Sequence, residues 1–272
     1  MPNLLHRLNI SSINALLIDI HGVLFNTSPS GPIAIENSVH AFNKLKKSRI
    51  PLRLCSNESQ ISGEVVLKKL LDLGFNASID DIFNPPKAVK SALLSRNLRP
   101  LLLIHSDLQA FFADIEQTDC NCVVLGDTAL ELTSEKLYAA FNLLIANPNA
   151  KFYSMGQGRY YKHGDGLMMD LGGYMKALEY WTGVSAEVIG KPSKAFFQMV
   201  VDDLKATTDS CVMIGDDVVS DVGGAQNSGL KGVLVRTGKY RPEDELRNDV
   251  KPNLVVNDLN DFVAQLEAQN LL

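Results

Sequence analysis

Leu16-Leu17-Ile18-Asp19-Ile20-His21-Gly22-Val23-Leu24 is an apolar run broken by a single carboxylate and then by a glycine turn. A strand buried on both faces has little use for a charged group in its middle, so Asp19 belongs at the strand's carboxyl tip. In an open α/β sheet that tip borders the ligand crevice. The same grammar recurs in Ser210-Cys211-Val212-Met213-Ile214-Gly215-Asp216-Asp217. Two strands that each deliver a carboxylate to one sheet edge create an acidic cluster. Such a cluster needs a cation, and hard oxygen donors favour magnesium.

Strand and helix patterns alternate outward from these two stretches, as in βαβ units around a parallel sheet. The spacing predicts a helix over 35–48 with Val39, Phe42 and Leu45 on one face, then a strand at Leu52–Cys55 leading into Ser56-Asn57. A helix over 64–73 stops at Gly74, and Ile82-Phe83 with a helix over 88–95 completes this half. The middle differs in character. Strands are expected at 101–104, 122–125 and 151–154, and helices over 134–144 and 174–181. Gly156-Gln157-Gly158-Arg159-Tyr160-Tyr161-Lys162 reads as a loop of aromatic and basic residues. The α/β rhythm returns from Glu187 and runs through 232–235 to a terminal helix over 258–269. The fold expected is α/β, with a Rossmann-like parallel-sheet core and helices on both faces. Residues 1–96 and 185–272 form this core, interrupted by an inserted α+β domain at 97–184.

Composition narrows the function. The chain has 272 residues, 46% hydrophobic and 21% charged, which is ordinary globular usage with room for two domains. A net charge of −5 argues against general nucleic-acid binding, whose affinity comes from neutralising phosphates. No apolar run approaches the roughly 20 residues that cross a bilayer, and Met1-Pro2-Asn3-Leu4-Leu5-His6 lacks a signal peptide's apolar core. No membrane partner is therefore expected, and the Asn-x-Ser sequons at Asn9, Asn26, Asn57 and Asn76 read as chance. Cys55 and Cys211 lie inside apolar strands, while Cys120-Asn121-Cys122 has no second pair with which to hold zinc. A reducing, cytoplasmic setting is expected. His6, His40, His105 and His163 show no metal-ligand spacing. Gly190-Lys191 and Gly238-Lys239 lack the upstream glycine of a P-loop, and no Gly-x-Ser-x-Gly elbow supports a serine hydrolase.

Four pieces converge once the sheet is assembled. Asp19 ends the first strand, Ser56 ends the second, Lys191 follows a short strand at Ile189-Gly190, and Asp216 ends another. Taken singly, Asp19 could cap a helix, Ser56 could serve a turn, and Lys191 could be a surface residue beside a proline. Together, a carboxylate, a hydroxyl, an ammonium and a metal-holding carboxylate suit a phosphoryl group. Asp19 is placed to attack phosphorus, giving an aspartyl-phosphate that water then hydrolyses. Asp217 could join the metal's surroundings or sit at a helix start. Arg159 and Tyr160 could contact substrate or simply pack the inserted domain.

Asp19-Ile20-His21-Gly22-Val23-Leu24, Ser56-Asn57, Lys191, and Gly215-Asp216-Asp217 with Asp221 resemble, in order, the four motifs of the haloacid dehalogenase superfamily. The insert between the second and third motifs is similar to that of its C2-capped phosphatases. Ser56-Asn57-Glu58-Ser59-Gln60, Gly158-Arg159-Tyr160-Tyr161-Lys162, Tyr174-Met175-Lys176-Ala177-Leu178-Glu179-Tyr180, Gly223-Gly224-Ala225-Gln226 and Arg236-Thr237-Gly238-Lys239 narrow the likeness. They resemble the branch that cleaves inorganic pyrophosphate and the phosphoramidates phosphohistidine and phospholysine. The resemblance implies that Asp19 is nucleophile and Mg²⁺ ligand, that His21 lends the metal its backbone carbonyl, and that Asp216 lends a carboxylate. It further implies that Ser56, Asn57 and Lys191 hold the phosphoryl group, that Asp221 orients Lys191 or metal-bound water, and that the chain is a homodimer. The substrate is then a small phosphorylated molecule or a phosphorylated protein side chain.

His21 stands where most phosphatases of the superfamily carry a second Asp, the general acid and base. An alkoxide leaving group is strongly basic and wants a proton in the transition state, whereas phosphate or a protonated nitrogen leaves far more readily. Absence of that acid suits P–O–P and P–N bonds. An imidazole titrating near ~6.5 could take the acid's place, or His21 could matter only through its backbone. The alternatives are a small-metabolite phosphomonoesterase acting on phosphoglycolate, pyridoxal phosphate or a nucleotide, and a weakly active phosphate-binding regulatory protein.

Overall fold

Ala15-Leu16-Leu17-Ile18 is wholly buried, as a strand must be when both faces of a parallel sheet are covered. In the computed structural model, which describes residues 13–28, 30–163 and 166–272, this strand is β1. The amino-terminal stretch, His6, the Asn9 sequon and the side chains of Lys162 and His163 lie outside the described residues.

The strands of the first half are β1 (Ala15–Ile18), β2 (Phe25–Ser28), β3 (Gly31–Ala34), β4 (Leu52–Cys55) and β5 (Ile82–Phe83). The middle supplies β6 (Pro100–Leu103), β7 (Cys122–Leu125), β8 (Lys151–Ser154), β9 (Tyr160–His163), β10 (Gly166–Met169) and β11 (Glu187–Val188). The last are β12 (Cys211–Gly215), β13 (Lys231–Val235) and β14 (Leu254–Val256). The α-helices are α1 (Ser38–Leu45), α2 (Gly63–Asp72), α3 (Pro85–Ser95), α4 (Ser134–Ala146), α5 (Gly172–Thr182), α6 (Lys194–Asp203), α7 (Gly224–Asn227) and α8 (Leu259–Glu267).

These elements group into two compact units. One comprises the segments ending at Ser56, Val66–Phe83 and Lys191–Leu272; the other comprises Asn57–Val65 and Asn84–Gly190. The first unit carries a six-stranded sheet in the order β14-β13-β12-β1-β4-β5, parallel throughout. Neighbouring strands β1 and β12 lead to different halves of this order, so the topological switch point lies at their carboxyl ends. Register fixes what meets there: Ile18 pairs with Ile214 on one side and Leu54 on the other. The next residues are Asp19, Gly215 and Cys55. Leu17, Ile18, Leu54, Val212, Ile214, Val233 and Leu234 form the buried interior of this unit. Helices α1 and α8 pack against each other, and Asp258 starts α8 by accepting from the Asp261 amide at 2.7 Å.

The second unit holds a four-stranded parallel sheet, β11-β8-β7-β6, and an antiparallel β9–β10 hairpin. Leu103, Val123, Leu125, Phe152, Met175 and Leu178 are at the centre of its core, with α4 packed against α5. Pro85 and Pro86 open α3, where proline's missing N–H costs nothing, and Asn84 caps it by accepting from the Lys87 amide at 3.2 Å.

Two hairpins depart from the sequence reading. Arg159-Tyr160-Tyr161, read as a loop, enters β9, because adjacent tyrosines favour a paired extended chain once a partner such as Leu167-Met168-Met169 is available. Phe25–Ser28 and Gly31–Ala34 form a second hairpin directly after the Asp19 stretch, with no apolar alternation to announce it.

Candidate active site

Asp19 leaves β1 with its amide still donating to the Ile214 carbonyl at 2.9 Å, so the residue is held by the sheet edge itself. Its Oδ1 accepts from the Ile20 amide at 2.8 Å and from Lys191 Nζ at 2.7 Å. Lys191, the residue before Pro192 at the foot of α6, also donates to the Cys55 carbonyl at 2.9 Å and lies 2.7 Å from Asp221 Oδ1. Burial disfavours its charge, but Asp19 and Asp221 outweigh that and hold the ammonium above the ordinary lysine range. Ser56 follows that carbonyl directly, is buried, and donates its amide to Phe83 at 3.3 Å.

Asp216 is 1% exposed at the tip of β12. Its Oδ2 accepts from the Lys239 amide at 2.7 Å, while its Oδ1 has no hydrogen-bond partner. Burial first, then the nearby Asp19 charge, push this carboxyl up to about 7. Gly22 (φ 83°) and Gly238 (φ 62°) flank it, and a Cβ on either would stand 2.0 Å from Oδ2. Only glycine provides both the left-handed backbone and the space. Thr237 closes the contact by donating its hydroxyl to the Gly22 carbonyl at 2.5 Å.

Asp221 is fully buried; burial and the surrounding carboxylates raise its pKa against the pull of Lys191. Its Oδ2 accepts from the Asp217 amide at 3.2 Å. Asp217 itself caps the helical turn Val218–Gly223, its Oδ1 accepting from Val219 at 3.0 Å and Ser220 at 2.9 Å. Burial works against the Asp217 carboxylate, yet these hydrogen bonds and Lys239 keep its pKa below the usual range.

Carboxylate oxygens of Asp19, Asp216 and Asp221 lie within 4.8 Å of one another. Lys191 and the Asp217 amide engage Asp221, so Asp19 and the unpartnered Oδ1 of Asp216 are the oxygens left for a cation. An all-oxygen set with a buried, partnerless lone pair fits a hard divalent ion such as Mg²⁺.

His21 is half-buried beside Gly22, its ring edge-on to Phe25 with centroids 4.8 Å apart. The first unit thus brings together Asp19, His21, Ser56, Lys191, Asp216, Asp217 and Asp221. Asn57, Arg159 and Tyr160 belong to the second unit and are exposed. The Asn57 side chain lies where a Cβ on Gly190 would come within 3.2 Å of its Oδ1. The sequence reading assigned no task to Gly22, Thr237, Gly238 or Lys239. Arg236-Thr237-Gly238-Lys239 stood out only as part of the family likeness, because nothing local shows that it folds onto Asp216.

Residues 16–133 match the family model described as haloacid dehalogenase-like hydrolase, and residues 188–262 match the HAD-hydrolase-like model. The phospholysine phosphohistidine inorganic pyrophosphate phosphatase of Danio rerio is 45% identical, over 92% of this chain and 93% of its own. The Homo sapiens protein of that name is 41% identical, over 94% and 95%. Among solved structures, a p-nitrophenyl phosphatase from Archaeoglobus fulgidus has the same fold, with a TM-score of 0.83 at 24% identity over 93% of this chain and 99% of that one. The carboxylate pair at the switch point, the lysine between its acids and the extent of these matches lead to one assignment: the chain belongs to the haloacid dehalogenase-like hydrolases, among the phosphatases of that family.

Proposed function

We propose that this phosphatase hydrolyses inorganic pyrophosphate and P–N phosphoramidates such as phosphohistidine and phospholysine, through an aspartyl-phosphate on Asp19. The observation that carries the reading is the Asp19–Lys191 pair, buried at the switch point beside an unpartnered oxygen of Asp216. Lys191 pairs with Asp19 and presents charge to the phosphoryl oxygens, and Ser56 holds them with its hydroxyl. Asn57, the next residue in the chain, is assigned to the same phosphoryl group. One Asp19 oxygen attacks phosphorus as the bond to the leaving phosphate, or to the already protonated nitrogen of a phosphoramidate, breaks and its electron pair departs with it. Water then attacks the acyl phosphate at phosphorus, releasing orthophosphate and restoring the carboxylate.

Asp19, Asp216 and the His21 carbonyl would hold Mg²⁺, with Asp221 orienting Lys191 and Asp217 fixing the turn behind them. Bound there, Mg²⁺ supplies positive charge that offsets repulsion between the phosphoryl oxygens and Asp19. His21 acts by position: its ring packs on Phe25, while phosphate leaves as a weakly basic anion and a phosphoramidate nitrogen, already protonated, leaves as a neutral amine or imidazole.

The inserted segment 97–184 is assigned as a C2-type cap, with Arg159 and Tyr160 as substrate contacts exposed on its hairpin. Exposed Tyr180 and Trp181 on α5 favour homodimerisation through that cap. Four free cysteines favour a reducing, cytosolic location, and no described helix is long and apolar enough to cross a membrane.

The test is Mg²⁺-dependent phosphate release from pyrophosphate, imidodiphosphate and an alkyl phosphate, with Asp19→Asn as control. Turnover of the first two, lost at least about a thousandfold in the control, is expected. Preference for the alkyl ester would transfer the assignment to a metabolite phosphomonoesterase, and binding without turnover to a regulatory protein.

A further inference from the structure

Two lysines of opposite character serve the acidic end of β12. Lys191 is buried and locked between Asp19 and Asp221. Lys239 is its counterpart on the outside. Its amide is fixed on Asp216 Oδ2 at 2.7 Å, but its side chain is 73% exposed, with Nζ 3.4 Å from Asp217 Oδ2. That contact is long and solvated, and such pairs contribute little. The ammonium can therefore leave Asp217 at small cost. Asp217 keeps other support without it, because its other oxygen is committed to the Val219 and Ser220 amides. By contrast Arg236, two residues before Gly238, is engaged by Glu245 at 2.7 Å and by Asn257 at 3.2 Å.

Charge shows what Lys239 is free to do. Asp19, Asp216 and Asp221 against Lys191 leave two negative charges, which one divalent cation neutralises, while Lys239 and Asp217 balance each other outside that set. A single transferring phosphoryl group is then met by Lys191 and the metal. A diphosphate brings a second anionic group, covalently tied to the first and needing its own cation. A four-carbon stem reaches about 6 Å from its Cα, and this Cα belongs to the residue whose amide holds the metal-facing Asp216. A side chain rooted there can reach an anionic group bound beside Asp216.

Resting on the phosphatase reading above, we propose that the Lys239 ammonium exchanges Asp217 for the non-transferred phosphate of a diphosphate. Lys239 is thus the residue that selects diphosphates over single phosphoryl groups.

Calorimetric titration with Mg²⁺ present, using methylenediphosphonate and methylphosphonate as non-hydrolysable probes, tests this without turnover. Lys239→Met is expected to weaken methylenediphosphonate about tenfold or more and methylphosphonate less than about twofold. Lys239→Arg should recover most of the loss, and Lys239→Gln should repeat the Met result if the Met variant folds poorly. Equal weakening of both probes, no change in either, or no binding of either by the wild type would overturn the assignment. Pyrophosphate turnover is read separately. A wild type that selects the diphosphonate through Lys239 but does not cleave pyrophosphate would support the Lys239 assignment while overturning the proposed substrate.

Discussion

Asp216 is 1% exposed beside Asp19, with one oxygen held by an amide and the other without a partner. Its carboxyl is pushed up to about 7, above an unfolded value near ~4. A carboxyl raised in this way contributes stability below the unfolded pKa, and that contribution is lost as pH rises through about 7. Metal-free Asp216→Asn should therefore melt several degrees above the wild type at pH 8, with the gap narrowing as pH falls and closing below about pH 4. The same variant should lose Mg²⁺-dependent activity, a cost of function that the folded state carries as strain. Gly238→Ala tests the neighbouring contact. Its Cβ would stand 2.0 Å from Asp216 Oδ2 at a φ of 62°, so activity should fall more than about a hundredfold, with roughly 2 kcal/mol of stability lost to denaturant. His21→Ser should leave the pH–rate profile for pyrophosphate unchanged; loss of one titrating limb would show that the imidazole moves a proton.

Elements set these residues in place through their ends rather than their middles. The tips of β1, β4 and β12 deliver Asp19, Ser56 and Asp216, and a capped turn beginning at Val218 returns Asp221 to Lys191. Structure far from the tips should be separable from chemistry. Asp258 caps α8, which packs on α1, so Asp258→Ala should cost about 1 kcal/mol in denaturant unfolding and leave kcat and KM within about twofold. Strands and helices with a strong period were readable from sequence: β4, β7 and β8 stand where the apolar runs place them, and α4 starts at the expected Ser134. Hairpins were not. β2–β3 and β9–β10 are short, mixed in polarity and stabilised by each other, so their pairing is written in no local pattern.

For the whole molecule, a divalent ion that binds the folded chain alone should raise its melting temperature by mass action. Mg²⁺ at a hundred times its dissociation constant should add about 2.7 kcal/mol in the wild type and almost nothing in Asp216→Asn, as read by calorimetry. Sequence by itself determined the α/β class and the order of motifs, because buried parallel strands must be apolar and a lone carboxylate at such a run can sit only at its end. It also marked Asp19, Ser56, Lys191 and Asp216 as one group, since a parallel sheet brings the carboxyl ends of its strands to one edge. Only the tertiary structure decided that Lys191 lies between Asp19 and Asp221, that Asp217 is a helix cap, and that Thr237, Gly238 and Lys239 close over Asp216. The reason is distance along the chain. Gly22 and Thr237 are brought together by the sheet and the close approach at Asp216, and no spacing within either segment records their meeting.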